Sequence, residues 1–286
     1  MKKLIVNLVP TGMIPLKKDT QRVPISPEEI IDDVLGCCEL GVTMVHIHGR
    51  DKDGDPTWEP EIYEKIITGI RKERPETIIC ATCSGRTYSE FEKRSAVLEL
   101  KGLAKPDLAS LTLSSVNFNH QASINEPSMI IALAEKMKEK GIRPELEAFD
   151  LGMINYAKYL IKKGLLKSPY YFNLIFGNIA CAQANILSVG IMINELPQDS
   201  IYSLGAVGDN QQMINMLAAV IGCGARIGLE DNIWFDNNRT RLATNRDLLK
   251  RLISIAETMG RPVMKPIEAR ELLGLKTPAE GYGSNG

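Results

Sequence analysis

The sequence is poor in the features that mark many protein classes. It holds three histidines and two tryptophans, and aromatics make up 6% of its 286 residues. Neither sign of charge dominates: 34 basic residues oppose 35 acidic ones, a net charge of -1. That balance offers no basic surface for nucleic acid and no like-charge block that would keep a tail unfolded. No apolar run approaches the roughly 20 residues a membrane-spanning helix needs. Lys2-Lys3 followed by the apolar Leu4 to Val9 has the start of a signal peptide, but Asn7 interrupts the run and no small-residue cleavage site follows. The expected location is cytoplasmic, with neither nucleic acid nor membrane as a partner. The six cysteines are scattered. Cys80 and Cys83 have CxxC spacing, yet they fall in a strand-like run rather than at a helix start, so packing is favoured over redox or zinc chemistry.

What is present is a regular alternation. Hydrophobic residues make up 44% and charged residues 24%, as in soluble globular proteins. Eight short apolar runs read as strands: Leu4 to Val9, Met44 to His48, Thr77 to Thr82, Leu108 to Leu113, Glu145 to Phe149, Tyr171 to Phe176, Ile201 to Val207 and Ala225 to Glu230. Amphipathic stretches separate them, and Asn245 to Met259 follows the last. Ser26-Pro27-Glu28-Glu29 is a helix start, with a capping serine, a first-turn proline and acids facing the dipole. Strict alternation implies a parallel sheet with right-handed crossovers. Eight units, in a chain near the roughly 250 residues such folds take, favour a closed (β/α)8 TIM barrel over an open doubly wound sheet. The expectation is one α/β catalytic domain over residues 1–286, with a mobile Gly-rich tail from about Thr277.

Three motifs carry chemistry. In Val45-His46-Ile47-His48 the strand period of two puts both imidazoles on one face, at the strand end where barrels hold their active sites. A hydrogen-bonded histidine pair is the competing reading. Metal is favoured because imidazole is the commonest metal ligand. In Arg226-Ile227-Gly228-Leu229-Glu230-Asp231 the strand period aligns Arg226 with Glu230. Strands two and eight flank strand one in a barrel, so Glu230 can complete a site with His46 and His48, with Asp231 beside it as general base. In Glu145-Leu146-Glu147 two acids share a face, inward or outward. Thr82 and Ser110 sit near strand ends where hydroxyls can hold a carboxylate.

Together these motifs resemble the β-keto acid cleavage enzyme family. The resemblance runs from Thr11-Gly12 and Pro24 to Glu29, through the HxH, Pro144 to Glu147 and Gly152-Met153, to Gly228 to Asn232 and Gly260-Arg261-Pro262. It implies zinc or another divalent transition metal on His46, His48 and Glu230. It also implies condensation of a β-keto acid with acetyl-CoA, and retro-Claisen release of acetoacetate and a new acyl-CoA. Thr82, Gly85 and Ser110 match substrate-holding positions, Asp231 the base, and Arg226 and Glu147 further active-site residues. A homo-oligomer, in particular a tetramer, is implied as well. The family member that takes an amino-substituted substrate has glutamate just after Thr-Gly, where this chain has Ile14. An apolar side chain there disfavours an ammonium tail, although Asp209, after the seventh strand, could reach the same pocket and accept one. An amidohydrolase-type enzyme would need histidines beyond His120. A non-catalytic binding barrel is the rival of a different class.

Overall fold

In the computed structural model, which describes residues 2–222 and 224–285, the apolar runs become eight parallel strands. They are β1 (Ile5–Leu8), β2 (Met44–Ile47), β3 (Ile78–Ala81), β4 (Leu108–Thr112), β5 (Arg143–Ala148), β6 (Tyr170–Phe176), β7 (Ser200–Ala206) and β8 (Gly224–Ile227). They close in the order β1-β8-β7-β6-β5-β4-β3-β2, so β1 pairs with both β2 and β8. The closed barrel decides against the open sheet. Every strand but β6 ends a residue or more before its sequence pattern does, and the difference is largest at β8, where Glu230 lies beyond the strand.

The helices are α1 (Pro27–Cys38), α2 (Pro60–Glu73), α3 (Phe91–Ser95), α4 (Pro127–Lys140), α5 (Leu151–Lys162), α6 (Ile186–Asn194), α7 (Gln211–Ile221), α8 (Asn245–Thr258) and α9 (Pro266–Leu272). Ser26 caps α1 in a reciprocal box with Glu29. Two small hairpins absent from the sequence reading, Gly49–Arg50 with Pro56–Thr57 and Val116–Asn117 with Ala122–Ser123, rise after β2 and β4. Their strands are two residues each, too short to leave a periodic signal.

The larger core lies between sheet and helices. A smaller one fills the barrel interior, where Ile5, Met44, Ile78, Leu108 and Tyr171 meet Ala269 of α9 and Leu273 and Leu275 just after it. Helix α9, also unanticipated, thus plugs the floor. Asp107, fully buried there, pairs with Arg71 at 2.7 Å and Arg270 at 2.9 Å. The segment after Thr277, expected to be mobile, packs on this knot. The Tyr282 ring lies 3.5 Å from the Arg71 guanidinium carbon, and the Gly283 amide donates to Asp107 at 3.1 Å. Glycine content alone did not disclose those partners.

Candidate active site

The two imidazoles lie inside the barrel mouth, and both are almost fully buried. His46 Nδ1 is 2.5 Å from Glu145 Oε2, and its Nε2 is 3.2 Å from His48 Nε2. Glu145 therefore faces inward. Its other oxygen accepts from Asn7 Nδ2 at 2.8 Å, and Asn7 joins Tyr171 and Asn173 beneath the mouth. Burial by itself disfavours the imidazolium, but Glu145 outweighs it and lifts the His46 pKa to about 9. Burial likewise works against the Glu145 carboxylate, and the charge on His46 reverses that, to about 2. For His48 burial wins: it depresses the pKa against the weaker upward pull of Glu230.

Glu230 reaches the pair from the loop after β8, with Oε1 3.4 Å from His48 Nε2. Two glycines allow this approach. A side chain on Gly228 would strike the Val9 carbonyl oxygen, 2.1 Å from its Cβ position. Gly12, at φ +66°, leaves the space that Glu230 Cγ occupies. Buried Arg50 holds this turn by donating to the carbonyls of Gly12 and Pro15 at 2.9 and 3.1 Å. From α7, Gln211 and Asn215 donate to the carbonyls of Gly228 and Arg226 at 2.8 Å each. Asn245 of α8 accepts from the Leu229 amide at 2.9 Å and donates to Pro10 at 3.0 Å, tying the loops after β8 and β1 together.

Arg226 is the hub of the acids. Its Nε donates to Asp231 Oδ2 at 3.0 Å and its Nη2 to Glu230 Oε1 at 2.6 Å, while Nη1 lies 3.8 Å from Glu147 Oε1. Burial raises the pKa of Asp231 against the pull of Arg226. Burial opposes ionisation of Glu230 too, but Arg226 and His48 hold it well below the usual range. Glu147, raised by burial, accepts from Thr112 Oγ1 at 2.7 Å.

His46, His48 and Glu230 bring one ligating atom each to within 4.8 Å of one another. Glu230 Oε2 is buried with no hydrogen-bond partner, which a cation would supply. Two nitrogens, a carboxylate and an open side toward the cavity are the donors of a divalent catalytic metal. A second group, His46, Cys80 and Glu145, fits poorly. Its histidine nitrogen and carboxylate already bond each other, and burial holds the Cys80 thiol protonated beside Glu145. Cys80 and Cys83 are both free.

A cavity of about 450 Å³ opens above these groups. His48, Glu230, Asp231, Arg226, Glu147, Thr82 and Ile14 line it, as does Thr112. Ser110 and Gly85 are not among its walls. Ser110 Oγ accepts from the Cys83 amide at 3.0 Å, one layer below Thr112, and Gly85 packs on Arg94 and the Ile124 carbonyl. Both shape the loop that carries Thr82. Asp209 does not reach the cavity and pairs with Arg239 on the surface. Sequence reasoning missed Arg86 and Phe118, which do line it. The Gly85-Arg86 turn after β3 was the available signal.

Residues 3–275 match the beta-keto acid cleavage enzyme family. The chain belongs to this family. It is 31% identical over 276 residues to the 3-keto-5-aminohexanoate cleavage enzyme of Acetoanaerobium sticklandii, covering 96% of this chain and 99% of that one. To the 3-oxoadipate:acetyl-CoA acetyltransferase of Cupriavidus necator it is 32% identical over 274 residues, covering 95% and 94%. Among solved structures, the ternary complex of ObcA with C4-CoA adduct and oxalate superposes with a TM-score of 0.76 at 21% identity, over 89% of this chain and 68% of that one. This last likeness establishes the shared barrel fold. Among the described residues no helix is long and apolar enough to cross a membrane.

Proposed function

We propose that this enzyme condenses a β-keto acid with acetyl-CoA and releases acetoacetate and a new acyl-CoA in a retro-Claisen step. The observation that carries the reading is the convergence of His46, His48 and Glu230 beside an Arg226-held Asp231 at one cavity wall. Family membership and the acetyl-CoA-dependent activity named for the Cupriavidus relative support it. A divalent metal on the three ligands, zinc or a similar transition ion, supplies a Lewis acid that acidifies the carbon beside a keto group. Asp231 accepts the C2 proton of the β-keto acid, its basicity raised by burial and its aim set by two bonds from Arg226. The C2 carbanion attacks the thioester carbonyl of acetyl-CoA. Arg226 Nη1, buried without a hydrogen-bond partner, is a free donor for the oxyanion that develops. Collapse of that oxyanion breaks the C–S bond and expels the CoA thiolate, which adds to the original keto carbon, and the bond between that carbon and C2 breaks. The released C2 fragment takes up the proton from Asp231 and leaves as acetoacetate.

Thr82 meets the substrate directly in this reading, Gly85 and Ser110 set its loop, and Ile14 forms the apolar rim. The enzyme works in the cytoplasm as a homo-oligomer. The metal-dependent hydrolase reading needs more histidines, and His120 joins no ligand group among the described residues. The deciding experiment is a screen of β-keto acids with acetyl-CoA on metal-loaded protein, reading acetoacetate. Turnover of none of them would remove the assignment.

A further inference from the structure

Two guanidinium groups line the cavity, and they differ in kind. Arg226 is engaged by Asp231 and Glu230. Arg86 donates no side-chain hydrogen bond and forms no ion pair among the described residues. Its guanidinium carbon lies 3.6 Å from the centroid of the Phe118 ring. Phe118 is braced in turn by Phe149, edge-on at 5.9 Å, and its amide bonds the Gln121 carbonyl at 3.0 Å across the hairpin tip. The stack fixes the plane of the cation and leaves the N–H groups at its edge unused. A half-buried cation without a counter-ion is costly. Stacked and planar, it is preorganised for bidentate pairing with a carboxylate. The attraction of Glu230 and Glu147 is felt at longer range, without contact.

We infer that Arg86 is a specificity-determining residue that binds a second carboxylate at the tail end of the substrate, so that the preferred substrates are β-keto dicarboxylates. The inference rests on the proposed reaction. The C1 carboxylate and the keto group of any β-keto acid belong beside His48, Glu230 and Asp231, where the chemistry occurs. Arg86 stands instead with Phe118, on the loops after β3 and β4 that also bound the cavity. The same charge repels an ammonium-bearing tail, reinforcing the effect of Ile14.

The test compares 3-oxohexanedioate with 3-oxohexanoate, which share one carbon skeleton, in wild type, Arg86→Met and Arg86→Lys. Wild type should favour the dicarboxylate in kcat/KM. In Arg86→Met that preference ratio should fall by about 10- to 100-fold, the range for a charge-assisted pair. Arg86→Lys, which keeps the charge but not the fork, should retain part of it. An equal loss on both acids would assign Arg86 to a group common to all turnovers, such as C1 or CoA, and overturn the inference while leaving the reaction intact. A wild type that prefers the monocarboxylate overturns it too. Turnover of neither acid, nor of any other in the screen, removes the reaction and the inference together.

Discussion

Glu145 Oε2 and His46 Nδ1 meet at 2.5 Å, and both side chains are buried. The contact commits Nδ1 to the carboxylate and turns Nε2 toward His48 Nε2, 3.2 Å away. A carboxylate behind a ligating imidazole fixes the ring and makes its free nitrogen a better donor. Loss of such a partner typically costs about 10- to 100-fold in metal affinity. Glu145→Gln should therefore weaken metal binding by about that factor, read as metal content after dialysis against graded chelator. His46→Ala and His48→Ala should retain no metal while keeping a barrel-like circular dichroism spectrum. Undiminished affinity in Glu145→Gln would mean that His46 is not a ligand.

Asp231→Asn keeps the shape and the bond to Arg226 Nε but cannot accept a proton. The rate should drop on the order of 100- to 10,000-fold, as general-base losses do. Metal content should stay close to wild type, since Glu230 supplies the ligand. Normal turnover would reassign Asp231 as an anchor for Arg226 and leave Glu147 as the next base to test.

The floor of the barrel should respond in stability rather than in rate. Asp107→Ala leaves Arg71 and Arg270 buried without their shared carboxylate. Removing one member of a buried ion network costs about 3–5 kcal/mol. Urea unfolding should show that loss, while kcat of the folded fraction changes little. A loss below about 1 kcal/mol, the scale of a surface pair, would show that water reaches the knot.

Asp33 should give stability a pH dependence. Burial raises its pKa from 3.8 to about 6, although Asn245 donates to it at 2.6 Å. A raised carboxyl prefers the protonated form in the fold. Its stabilising contribution is complete below about pH 3.8 and is lost as pH climbs through about 6. Because the side chain is partly open to water, the effect is on the order of 1 kcal/mol rather than the full shift. Asp33→Asn should match wild type near pH 4 and melt about 2–4 °C higher at pH 7.5. Parallel melting curves at both pH values would contradict this.

Helices α6 and α7 follow adjacent strands and expose Ile186, Leu187, Ile191, Met213, Met216 and Val220. So much apolar surface on neighbouring helices suits a subunit interface. Light scattering at micromolar protein should give a multiple of 31.6 kDa, a tetramer being expected. Ile186→Glu with Leu187→Glu should lower it. A wild-type mass near 31.6 kDa would dismiss the assembly.

Much of this protein is determined by sequence alone, wherever the relevant physics is local. The alternation of side chains along a strand is a covalent property, so His46 and His48 had to share a face. The eight repeats and the adjacency of the first strand to the second and last follow from crossover rules, which brought Glu230 to the histidines. The direction of Glu145 and Glu147 was undecided, because alternation says only that they agree. Closure decided it, by setting Glu145 against His46, 99 residues away. The same closure made Thr112 rather than Ser110 the hydroxyl at the cavity wall, placing one a layer above the other. It left Asp209 to Arg239, folded the tail under Arg71, and stacked Arg86 on Phe118 without a carboxylate. Pairing and desolvation depend on what the barrel brings together from distant segments, and no periodicity within one segment encodes that.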